Sequence, residues 1–175
     1  SKLAYARHFP AIDWLQSYSL YLGRLEDWFN KNVSSEWTSL VQKTMSLLQE
    51  ESELDEIVRL VGIDALSYKD RLTLECTRSI REDYLHQNAF HEIDTYSSPK
   101  KQYLLLKSIL SYYDKSLVAL QEDASFKKLA ALPVREKIGR LKYVPEDDVQ
   151  AQYDQIMKDL NDQIRALTEG GEQDA

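Results

Sequence analysis

"PEDDVQAQYDQIMKDLNDQI", residues 145–164, decides the fold class. Val149, Tyr153, Ile156, Met157, Leu160 and Ile164 recur with the period of an α-helix, so they share one face and leave the charged residues on the other. Pro145 followed by Glu146, Asp147 and Asp148 reads as the helix start. Proline loses no intrahelical hydrogen bond in a first turn, and negative charge suits the positive end of the helix dipole.

The same period runs back through the chain. Leu40, Thr44, Leu47, Leu48, Leu54, Ile57, Val58 and Val61 form one stripe, with Ser34 or Ser35 as its cap and Gly62 as its left-handed stop. Glu50, Glu51 and Glu53 interrupt that stripe and predict a bend or break near Ser52. Ser67 and Asp70 make a capping-box variant ahead of a helix carrying Leu72, Cys76, Ile80 and Tyr84. Ser98 followed by Pro99 opens another, with Leu106, Ile109, Leu110, Tyr113, Leu117 and Leu120 on its stripe. Ala124–Leu132 and Val134–Leu141 read as short helices split by Pro133. Before Leu25 the aromatic-rich start has no clear period, so the first helix is predicted over about Leu25 to Asn32. Hairpin dipeptides are missing and the β-branched residues are scattered. The expected fold is all-α: a bundle of about six helices over residues 25–166, an irregular aromatic-rich arm over 1–24, and a disordered polar tail over 167–175.

A net charge of −7 argues against nucleic acid and against an anionic membrane surface, both of which would repel the chain. The single cysteine cannot close an internal disulfide, which fits an intracellular protein. No apolar run approaches the roughly 18 residues that span a bilayer, so direct membrane insertion is not expected. The five glycines form neither G-x-x-x-x-G-K-[ST] nor G-x-G-x-x-G, so no loop here is built to cradle phosphates. The opening "SKLAYARHFPAIDW", without methionine, reads as the interior of a longer polypeptide.

One stretch resists the helical reading: "LHQNAFHEIDTYSS", Leu85 to Ser98. His86, His91, Glu92 and Asp94 invite a metal site, but two histidines five apart do not share a helix face and H-E-x-x-H is missing. The plainer reading is a helix end whose side chains bond loop backbone. Cys76, on its helix's apolar stripe, reads as a small core residue rather than a nucleophile. Arg135, Lys137, Arg140 and Lys142, beside the apolar face of Val134, Ile138 and Leu141, read as a solvated helix face. Tyr103, Tyr113 and Tyr153 fit core or interface positions, and Phe9, Trp14, Tyr18, Trp28 and Phe29 an aromatic cluster packed on the bundle. No catalytic residue and no metal ligand is assigned. Gln87, Asn88, Ala89 and Phe90 remain. A phenyl face, a small residue and two amides suit a flat heteroaromatic ring, although a phenylalanine after a helix is more often a core plug.

Two stretches carry a resemblance. "LQEESELDEIVRLVGIDALSYKDRLTLECTRSIREDYLHQNAFHEIDTYSSPKKQYLLLKSIL", residues 48–110, resembles the C-terminal region of the catalytic A subunit of V-type and archaeal A-type rotary ATPases. "YARHFPAIDWLQSYSLY", residues 5–21, resembles the segment joining that region to the nucleotide-binding domain. The likeness is close from Tyr5 to Asp114 and looser beyond.

It implies that residues 1–24 link to a nucleotide-binding domain and that Phe90 stacks on adenine with Gln87, Asn88 and Ala89 beside it. It also implies that Ile63, Asp64, Ala65, Leu66, Ser67, Tyr68, Lys69 and Asp70 face the rotor. There Tyr68 and Lys69 stand where the F-type counterpart carries acids. The implied whole is a proton-translocating, cytoplasmic head peripheral to the membrane. Its partners are the non-catalytic B subunit and the central rotor stalk, and ATP or ADP with Mg²⁺ sits mostly on the upstream domain. This chain alone is expected to bind no cofactor and to hydrolyse nothing. The competing readings are a free-standing acidic adaptor, separable by the length of the parent reading frame, and a metal-dependent hydrolase, separable by elemental analysis.

Overall fold

The computed structural model describes residues 13–15, 21–88 and 90–169. The helices are α1 (Leu22–Asn32), α2 (Trp37–Val61), α3 (Tyr68–Ser79), α4 (Pro99–Gln121), α5 (Phe126–Ala130), α6 (Val134–Arg140) and α7 (Val149–Glu169). Among the described residues there is no strand. The all-α expectation holds. Ala89, Phe9 and Tyr18 lie outside the described residues, as do residues 170–175 of the tail.

The centre of the bundle is α4, packed by α7, α3 and α2. Its expected one-sided stripe is too narrow. Leu104, Leu105 and Tyr112 are buried beside Leu106, Ile109, Leu110 and Tyr113, because neighbours cover this helix on several sides. Even Lys101 is only 1 % exposed; its ammonium donates to the Val144 carbonyl at 2.6 Å. Burial lowers its pKa from the ordinary lysine value, although the nearby Glu146 and Asp94 carboxylates oppose that.

Several helix ends match their sequence signals. Ser67 caps α3 by accepting from the Asp70 N–H at 3.2 Å, and Ser98 caps α4 by accepting from the Lys101 N–H at 3.0 Å with Pro99 following. Gly62 ends α2 at φ 87°, ψ 161°, a region essentially closed to residues with a side chain.

Other expectations are corrected. α1 begins at Leu22 rather than Leu25. Its Phe29 stacks on Trp37 at 4.9 Å, a partner from the start of α2 that the N-terminal cluster reading had left out. The predicted break near Ser52 does not occur, and α2 runs unbroken through 25 residues. Glu51 points inward at 6 % exposure and pairs with Arg81 at 2.9 Å, so the acid within the stripe is answered across the helix interface. Pro145 to Asp148 form a turn ahead of α7 instead of its first turn, and Glu146 there accepts from the Ser98 hydroxyl. α7 also runs to Glu169, through the first three residues assigned to the tail.

Candidate functional site

α3 continues without interruption into a wider π-helical turn, Ile80–Leu85, and together they make a rod. Its 12 and six residues, at ~1.5 Å rise each, hold its two ends about 25 Å apart. The segment Gly62–Ser67 enters at the N-terminal end and the His86–Tyr96 loop leaves from the other. Leu72, Cys76 and Ile80 anchor the rod, each with no exposed surface. Burial pushes the Cys76 thiol up to about 12, which keeps it protonated and inert, as a core residue should be.

At the first end, Ile63–Ala65 is a single 3-10 turn. Arg71 ties it down, donating from Nε to the Leu66 carbonyl at 3.3 Å and pairing with Asp64 at 3.2 Å. Ile57, Leu60, Val61, Ile63 and Tyr68 are exposed there, Leu60 to 84 %, and form an apolar ridge. Of the eight residues expected to face a rotor, Leu66 instead turns inward and is buried, and Asp70 accepts from the Ser67 hydroxyl at 2.7 Å. Beside the turn lies an open groove of about 920 Å³. Tyr68, stacked on Phe126 at 5.7 Å, lines it together with Lys69, Arg71, Arg78, Lys127 and Arg135.

At the other end the loop folds on its own polar groups. Asp94, 2 % exposed, accepts the Asn88 N–H at 2.7 Å, and Asn88 Oδ1 accepts the Phe90 N–H at 3.0 Å. His91 Nδ1 accepts from the Ile93 and Asp94 N–H groups at 3.2 and 3.3 Å. These side chains serve the loop backbone, as the plainer reading of the histidine cluster had it; among the described residues no group of three His, Cys, Asp or Glu could hold a metal. Gln87 is exposed and Phe90 fully so, at 100 %. The core-plug reading of Phe90 is thus overturned: its ring packs against nothing.

Two basic residues that pack on the rod were misread, and one of them holds this end. Lys142, assigned to a solvated face, is 9 % exposed and donates to the Glu82 and His86 carbonyls at 3.0 and 3.3 Å. Arg135, from the same stretch, is mostly buried on Glu75 at 2.7 Å and over the Tyr112 ring at 5.1 Å. A signal for Lys142 exists: it lies four residues after Ile138, on the apolar face.

Residues 26–130 match the model of the C-terminal domain of V and A type ATP synthase. The chain belongs to this family. It is 62% identical over 167 residues to the V-type ATP synthase alpha chain of Acetivibrio thermocellus, covering 95% of this chain and 28% of that one. It is 58% identical over 175 residues to that of Thermoanaerobacter pseudethanolicus, covering 100% and 30%. To a Clostridium botulinum alpha chain it is 56% identical over 171 residues, covering 98% and 29%. This V/A-type C-terminal domain therefore spans under a third of the relatives it matches. No described helix in it is long and apolar enough to cross a membrane.

Proposed function

We propose that this chain is the C-terminal helical domain of the catalytic subunit of a proton-translocating V/A-type ATP synthase, which covers the adenine of bound nucleotide and carries rotor contacts to it. Phe90 stacks on the base, with Gln87, Asn88 and Ala89 beside it. The Ile63–Asp70 turn and its apolar ridge meet the rotor stalk. The partners are the nucleotide-binding domain of the same subunit, the non-catalytic B subunit and the central stalk, in a cytoplasmic head peripheral to the membrane. Mg²⁺ and the phosphate-binding residues belong to the nucleotide-binding domain, where the metal neutralises charge developing on the transferred phosphoryl group.

The observation that carries the reading is the fully exposed Phe90 ring, held at a loop tip by polar contacts alone. An aromatic face of this size left in water forgoes about 2 kcal/mol of burial, which a stacked base recovers. The separation along the rod supports the second half. A stiff body with a base at one end and a shaft at the other converts a shift at the shaft into opening or closing of the pocket.

The test is Phe90→Ala in the assembled enzyme. Stacking contributes almost equally to the ground and transition states, so KM for ATP rises about tenfold and kcat changes less than about twofold. A lowered kcat with KM unchanged contradicts the assignment.

A further inference from the structure

We infer that Asp94 and Lys142 are positioning residues that clamp the Phe90 loop from both stems and hold its aromatic ring out for a planar base. The base is the one assigned to Phe90 above, and the inference rests on that reading for its ligand.

The geometry is a strap. The Lys142 ammonium donates to the carbonyl of Glu82, in the last turn of the π segment, and to that of His86 just past its end, both on the outgoing stem. The next residue, Tyr143, packs its ring against His91 at 4.5 Å on the returning stem. The short 3-10 turn Leu141–Tyr143 thus touches both stems. His91 holds the Asp94 N–H, the Asp94 carboxylate crosses the loop to the Asn88 N–H, and the Asn88 side chain holds the Phe90 N–H. An unbroken series of contacts therefore runs from the strap to the backbone of Phe90.

Behind the loop, a cavity of about 200 Å³ is lined by Asp83, Gln87, Asp94 and Lys142 among others. Tyr84, Leu85 and Leu105 also line its wall. Burial pushes the Asp83 carboxyl up from its usual range, with Lys142 opposing that. Lys142 and Tyr143 lie beyond the residues matched by the family model, 26–130, so the segment between α6 and α7 governs a loop in the matched part.

Two readouts test the clamp, both on chains carrying Asp94→Ala, Asp94→Asn or Lys142→Met. In the assembled enzyme, Asp94→Ala and Lys142→Met each raise KM for ATP about tenfold with kcat within about twofold, because fewer loops are base-ready at any moment. Asp94→Asn keeps a carbonyl that accepts from the Asn88 N–H, so its KM stays within about twofold of the parent. In amide hydrogen exchange, Asp94→Ala speeds exchange at Asn88 and Phe90 and leaves Leu110 in α4 unchanged. Unchanged exchange at Asn88 and Phe90 overturns the clamp. So does a KM unmoved by Asp94→Ala in an enzyme where Phe90→Ala raises it. An unmoved KM in Phe90→Ala overturns the stacking assignment instead, and faster exchange in Asp94→Ala then still upholds the clamp.

Discussion

At the Gly62–Asp70 end of the rod the hydrogen bonds and the ion pair reach only a few residues along the chain, Ser67 to Asp70 and Arg71 to Leu66 and Asp64, and one ring contact, Tyr68 on Phe126, reaches the body. At the His86–Tyr96 end the loop is local in part, but Lys142 reaches it from 56 and 60 residues away. The polar contacts of the turn are therefore all local, whereas the loop also depends on a strap that the bundle brings to it. A change in the packing of the body should therefore loosen the loop end more than the turn.

The largest expected effect falls on the rod both ends share. Ile80, fully buried where α3 meets the π turn, should cost about 2–5 kcal/mol when cut to alanine. Urea unfolding gives the total, and hydrogen exchange should show the loop end loosening more than the turn. Equal loosening at both ends would erase the contrast.

Gly62→Val is the complementary change. It forces a side chain into the glycine-only backbone at φ 87° and should cost about 1–3 kcal/mol, with KM for ATP unmoved. Ser67→Ala removes a cap worth about 1 kcal/mol and should leave exchange at Phe90 unaltered. A change at Phe90 in either variant would mean that the two ends are not built independently.

The smallest effect is a pH slope. Burial raises the Glu51 carboxyl above its ordinary value, with Arg81 opposing, so the native state holds this proton more tightly than the unfolded chain does. The stabilisation linked to that proton is present below the ordinary glutamate value of 4.5 and lost as pH rises through the folded value. Glu51→Gln should therefore gain on the parent as pH rises from 4.5 toward about 7, read as the difference in urea midpoints. The opposite slope would show that the Arg81 pair outweighs the burial.

How much of this the sequence displays follows the same division. The stripes on α3 and α7, the Ser67 and Ser98 caps and the Gly62 stop all depend on neighbours within a turn or two, and all could be read. The family resemblance was legible for the same reason: it resides in contiguous runs. Glu51, Arg135 and Lys142 were misread because a charged side chain declares nothing about a partner dozens of residues distant. The start of α7 was misplaced because Glu146 serves Ser98 of α4 rather than a helix dipole. The exposure of Phe90 could not be read from hydrophobicity, since a folded chain buries some phenylalanines and leaves others in water.

The most direct test of the lever is the distance between its tips. Spin labels at Asp64→Cys and Glu92→Cys avoid the buried Cys76, and pulsed dipolar spectroscopy then reads their separation. A rigid rod predicts one narrow distribution centred at about 25–35 Å, once label linkers are included, and unchanged by ATP in the assembled enzyme. A broad distribution, or one that shifts with nucleotide while the rotor is locked, would contradict it.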